Sequence, residues 1–250
     1  MPPRDGGAEP PPPAAPAGPT PEQLEAKLIE AAKPWTEPCP GTPAGADAKY
    51  EPDHESLRND ITALDTPLGA QLDWNGVIPR ATGLLRDKSK DLLIASYLAY
   101  ALWETKGLEG LAIGLEVIRA ICERYWEDCQ PPVRRVRGRA NALSWMLDRI
   151  EGPLPETPLT PDSKPAVELL ALSVKRFAAT VRDKFEDAAP SIRPLQDNVQ
   201  RLQMSVPEKA APPPPKPAAP PPSAPRPAAS APAASGGARA RLPPPHRAGR

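Results

Sequence analysis

Apolar residues recur along the middle of the chain at spacings of three and four, the period of an α-helix. Leu24, Leu28 and Ile29 make a first stripe, with Thr20 as N-cap, Pro21 at the first helical position, Gln23 completing a capping box and Pro34 as the stop. A loop over 34–52 follows, then a second helix capped by Asp53 with Leu57, Ile61 and Leu64, punctuated by Pro67 and Gly69. Asp73 caps a third, whose stripe is Trp74, Val77, Ala81, Leu84 and Leu85, and Pro79 should kink it or delay its regular start. Ser89 is read as the cap of a fourth, apolar around most of its circumference from Leu92 to Trp103 and therefore central in a bundle. Gly107 should stop it.

The fifth stripe, Leu108, Leu111, Leu115, Ile118, Cys122, Tyr125 and Cys129, predicts roughly six turns before Pro131-Pro132. A sixth helix carries Ala140, Leu143, Leu147 and Ile150 and ends at Gly152-Pro153. Past a proline-rich stretch, Leu170, Val174, Phe177, Val181, Phe185 and Ala188 form another face. After Pro190 and Pro194, Ile192, Leu195, Val199 and Leu202 resume it. This reads as a helical hairpin, or one kinked helix, too small to make a core alone. It should dock on the main bundle or on another chain. Period-two alternation is absent, so the expected fold is all-α: about six bundled helices plus a C-terminal helical hairpin.

Composition sets the limits of this body. Of 40 prolines, nine fall in residues 1–21 and fifteen in 206–250. Dense proline blocks both helix and sheet ladders, so both Pro/Ala-rich ends are expected to be disordered. The expected organisation is a leader over 1–19, a bundle over 20–152, a linker over 153–165, a hairpin over 166–205 and a tail over 206–250. The tail sets Glu208 against seven Lys and Arg residues, a net +6 that leaves the rest of the chain at net −6. Such a tail binds polyanions weakly and in a salt-sensitive way, although a solvated tail is the simpler reading. Met1-Pro2-Pro3-Arg4-Asp5 opens no apolar export signal, and the apolar run Leu92–Trp103 is too short to span a bilayer. Three sparse cysteines fit a reducing cytosol.

Candidate chemistry is thin. The two histidines are His54, read as an exposed first-turn residue, and His246 in the tail. Cys122 and Cys129 fall on the apolar face of one helix and read as core, not as a chelate. No G-x-S-x-G elbow or phosphate loop occurs. Gly110 and Gly114, four apart, are best explained by close approach of a neighbouring helix. Arg134, Arg135, Arg137 and Arg139 lack the interleaved aromatics of a nucleic-acid surface and read as a loop or protein-contact patch. No cofactor, metal or small-molecule substrate is indicated, and nucleic acid is not an expected partner.

Several motifs in order resemble the ImpA N-terminal domain found in TssA proteins of bacterial type VI secretion. They are Pro40-Gly41 with Asp47-Ala48-Lys49-Tyr50-Glu51-Pro52; Trp74 with Val77; Ser89-Lys90-Asp91-Leu92; Gly107-Leu108-Glu109-Gly110-Leu111 with Gly114-Leu115; and Tyr125-Trp126, Pro131 and Arg139-Ala140-Asn141-Ala142-Leu143. The chain departs from the family pattern at Glu51, which stands where an aspartate is usual, in the loose spacing of the Pro40–Tyr50 loop, and at Pro79. Family members usually continue into ring-building or tail-capping domains, so ring assembly through such a domain is not expected of this tail. The resemblance implies a non-catalytic cytoplasmic scaffold working at the secretion apparatus associated with the inner membrane. Its implied partners are baseplate and sheath proteins, with self-association left open. The motif positions Asp47, Tyr50, Trp74, Ser89, Lys90, Asp91, Gly107, Gly110, Gly114, Trp126 and Arg139 are read as structural. Leu170, Val174, Phe177 and Val181 are read as the candidate partner-contact stripe. The competing readings are a proline-rich adaptor acting through its tails, where Pro212 to Pro217 could dock aromatic grooves, and a weak nucleic-acid binder acting through the basic tail.

Overall fold

A computed structural model describes residues 18–64 and 72–208; the expectations for the leader before Gly18, for Pro67 and Gly69, and for the tail beyond Glu208 lie outside these residues. Seven α-helices and no strands occur among the described residues: α1 (Pro21–Thr36), α2 (Pro52–Ala63), α3 (Trp74–Asp87), α4 (Leu92–Arg124), α5 (Val136–Glu151), α6 (Lys164–Phe185) and α7 (Arg193–Ser205). The all-α expectation holds.

Local chemistry accounts for most boundaries. Thr20 and Gln23 form the reciprocal capping box at the start of α1. That helix runs on to Thr36, because Pro34 falls in the last turn, where the loss of one hydrogen bond is tolerated. Asp73 caps α3 by accepting from the Asn75 N–H at 3.1 Å, and the helix continues through Pro79. Two caps differ from expectation. Pro52 occupies the first position of α2, so Glu51, not Asp53, precedes it. Asp91, not Ser89, caps α4, and its Oδ1 accepts from the N–H groups of Leu93 (2.8 Å) and Ile94 (3.4 Å).

The expected fourth and fifth helices are the two arms of α4, which breaks at Gly107 (φ 59°, ψ −140°). A residue with a side chain is strained in that backbone conformation, so glycine belongs there. Beyond the break the second arm folds back across the first. It ends at Arg124, not at Cys129, because Tyr125 leaves helical geometry.

α4 lies at the centre, packed by α1, α3, α5 and α6, with α2 against α3 and α7 against α6 and α5. One core runs from Leu28 through Leu111 and Phe177 to Leu202. The stretch over 153–165 contains two short 3-10 turns, Leu154–Glu156 and Pro161–Ser163, and Leu154 is fully buried beneath α7.

Candidate functional site

The segment Ser89-Lys90-Asp91 joins α3 to α4 and is buried on all three residues. It is extended and hydrogen-bonded along both edges. On one side the Ala46 N–H donates to the Lys88 carbonyl (2.9 Å) and the Lys90 N–H to Ala44 (2.8 Å). On the other the Gln130 N–H donates to Lys90 (2.9 Å) and the Leu92 N–H to Gln130 (2.8 Å). Gly45 (φ +70°) is required at this crossing, since a Cβ there would sit 2.0 Å from the Lys88 carbonyl oxygen. The tripeptide is thus a clasp between the Pro40–Pro52 loop and the loop after α4.

Its side chains complete the clasp. The Lys90 ammonium donates to the carbonyls of Trp35 (3.1 Å) and Leu85 (2.5 Å), the ends of α1 and α3. A cation at a helix C-terminus meets the negative end of the dipole and satisfies orphan carbonyls. Burial holds its pKa below the ordinary lysine value. Asp91 Oδ2 lies 3.2 Å from His54 Nε2, so α2 is tied to the start of α4. The expectation of an exposed His54 fails: the ring is buried because its turn of α2 faces this carboxylate.

Arg139, fully buried on α5, closes the other end. Its guanidinium donates to the carbonyls of Pro131 (2.5 Å), Trp126 (2.6 Å) and Cys129 (2.6 Å) and stacks over the Trp126 ring at 4.5 Å. Three carbonyls in one irregular loop need the fixed fork of an arginine. Trp126 in turn meets the Phe185 ring of α6 edge-on at 4.9 Å.

Gly110 and Gly114 sit where the arms of α4 cross. A Cβ on Gly110 would lie 1.9 Å from the Leu102 carbonyl oxygen. The expected close approach is therefore present, made by the same helix folding back. A charged network lies on the far side of the second arm. Glu116, almost fully buried, receives Arg119 at 2.7 Å and Arg176 of α6 at 3.4 Å, and Arg176 also pairs with Glu25 of α1. Thr180 donates to Glu123 at 2.8 Å. Sequence reading missed this network, because Arg176 and Glu25 are far apart in the chain; the one available signal was a carboxylate, Glu116, within an otherwise apolar stripe.

The remaining motif positions divide. Asp47 and Tyr50 are on the surface: Asp47 accepts from the Lys49 N–H and pairs with its ammonium, and that ammonium lies over the Tyr50 ring. Trp74 belongs to a ladder of edge-on rings with Tyr100, Trp103, Trp145 and Tyr97. Leu170, Val174, Phe177 and Val181 do not form an available partner-contact stripe. All four are buried within this chain, because α6 lays that face on α4 and α7.

The thiols are equally enclosed. Burial raises the pKa of Cys39, Cys122 and Cys129, the last to about 11, so each stays protonated at neutral pH. Among the described residues no group of three His, Cys, Asp or Glu side chains could hold a metal ion, and no helix is long and apolar enough to cross a membrane.

The arrangement defines an all-helical domain whose buried ionisable side chains bind its own backbone and one another. Residues 39–148 match the family described as ImpA, N-terminal, type VI secretion system. The clasp, the crossing arms of α4 and the Arg139 fork all fall inside that segment. The fold is similar to that of a solved N-terminal domain, including the conserved ImpA_N region, of the TssA component of the type VI secretion system from Burkholderia cenocepacia. The likeness has a TM-score of 0.61 at 18% identity and covers 69% of this chain and 90% of that one. No curated protein sequence matches. The chain thus carries a segment that matches the ImpA N-terminal family of type VI secretion, on a fold similar to that of a TssA N-terminal domain.

Proposed function

We propose that this chain is a non-catalytic scaffold that binds baseplate and sheath proteins on the cytoplasmic side during assembly of the secretion tail. One observation carries the reading. The side chains that chemistry would require, His54, Lys90, Asp91, Arg139 and the three cysteines, are all buried, and the charged ones are engaged in holding helix ends and loops together. A body built this way presents fixed helix faces and corners, which suits holding over reacting. The test is to mix the purified full-length chain with each sheath and baseplate protein of its own genome and follow complex size by chromatography with light scattering. Co-elution with at least one of them is expected. Elution of the chain apart from every one would overturn the proposal. The same runs report whether the chain associates with itself.

A further inference from the structure

We propose that the corner formed by Val133, Arg134, Arg135 and Arg137 is a docking surface for an acidic protein partner. This rests on the scaffold reading above and names the chemistry of one partner. The three arginines are exposed, and none of their side chains makes a hydrogen bond or an ion pair with another described residue. Their backbone is fixed. The Arg135 N–H donates to Pro132 at 2.7 Å, and the loop just before it is held by the Arg139 fork and by the Gln130 edge of the clasp. A rigid mount lowers the entropy lost when long side chains are ordered by a partner.

The charges sit where the chain itself disfavours them. They flank the start of α5, the positive end of its dipole, with Arg134 and Arg135 in the 3-10 turn just before it and Arg137 in its first turn, which holds no acidic residue and has no side-chain cap. Carboxylates from outside would offset the guanidinium charges at this positive helix end. The sign is also local. Outside the basic tail the chain is net −6, so the corner is not part of a generally basic surface. A long polyanion reaching past the corner would be repelled by that body over a Debye length of about 8 Å at physiological salt. A compact acidic surface would not. Val133, 40% exposed amid the arginines, gives such a surface an apolar contact at its centre.

The test measures binding of the full-length chain to a short labelled amphipathic peptide of glutamates and leucines, to its glutamine counterpart, and to single-stranded DNA of similar length. The cluster variant R134E/R135E/R137E is compared with a control, K106E/K175E/R182E, that changes net charge equally at exposed positions elsewhere and leaves the tail intact. The acidic peptide should bind the wild type, lose at least about tenfold in affinity with the cluster variant, and keep most of its affinity with the control. The glutamine peptide should not bind. DNA binding should fall equally in both variants. Equal loss of peptide binding in both variants, or no binding to the wild type, would overturn the proposal. So would a selective loss of DNA binding in the cluster variant, which would make the corner a polyanion site. Should R134E/R135E/R137E lose its helical circular dichroism, R134Q/R135Q/R137Q is read on the same scale. Selective peptide binding without any baseplate or sheath complex would sink the scaffold reading alone. A complex that survives the cluster variant, with no selective peptide loss, would sink only this one.

Discussion

Gly114 lies against Ala99 where the two arms of α4 cross, so closely that a Cβ on the glycine would be 2.5 Å from both the Cα and the Cβ of Ala99. Alanine normally favours a helix over glycine by about 1 kcal/mol. Here the clash should outweigh that gain, because the obstructing atoms include backbone. Gly114→Ala is expected to lower stability by about 1–3 kcal/mol, read from urea unfolding. Gly83, on α3 with open space where its Cβ would go, gives the opposite sign: Gly83→Ala should stabilise by about 0.5–1 kcal/mol.

Arg139 is the second test of how the interior is held. Removing its guanidinium leaves three carbonyls in the 126–131 loop without their donors. Arg139→Met keeps much of the volume and is expected to cost about 3–5 kcal/mol. Loss of the ring stacking should also change Trp126 fluorescence in the folded protein. A variant as stable as the wild type would show that the loop is held by other means.

A charge placed on the buried face of α6 should act through folding. Val174→Asp and Val181→Asp each bury a carboxylate with no partner between α6 and its neighbours. Each is expected to lower the midpoint of unfolding sharply, by the equivalent of about 3 kcal/mol or more. Normal stability with selective loss of a partner would restore the contact-stripe reading that burial overturns.

Acid should loosen the seam between α4 and α6. Burial pushes the Glu123 carboxyl up, but the Arg119 guanidinium and the Thr180 hydroxyl outweigh it and hold its pKa below the ordinary glutamate value. A carboxylate with a depressed folded pKa adds stability above its unfolded value of about 4.3, and that contribution disappears as pH falls through the folded value. Melting temperature should therefore fall less steeply for Glu123→Gln than for the wild type between about pH 5 and pH 3. Parallel curves for the two would contradict the pairing. Because Glu123 is 46% exposed, solvent screening keeps the effect modest.

Elements with strong local chemistry were legible in the sequence. The Thr20–Gln23 box, the Asp73 cap and the Gly107 break follow from side chains acting within a few residues of themselves. The apolar stripe of α6 was legible as a stripe, but its partner was not, since periodicity marks a buried face without saying what buries it. Ser89 looked like a cap by residue type. The structure instead draws its segment straight between two distant loops, and that pairing over long separations leaves no periodic trace. His54 was hidden for the same reason, whereas Lys90 was marked as structural by its place in the motif. A polar residue reads as exposed until the carboxylate or carbonyls it meets are placed beside it. The motif order carried the family further than any single residue did.

The most direct measurement of the account is type VI-dependent secretion in cells from which this chain has been deleted and then restored. Deletion should abolish or strongly reduce release of a secreted substrate, and the wild-type chain should restore it. Arg139→Met, which removes the interior fork, should restore it poorly, while the triple variant Cys39→Ser/Cys122→Ala/Cys129→Ala, which removes every thiol and keeps the packing, should restore it fully. Normal secretion without the chain, or loss of secretion in a thiol-free variant that folds normally, would contradict a protein that works by holding its partners.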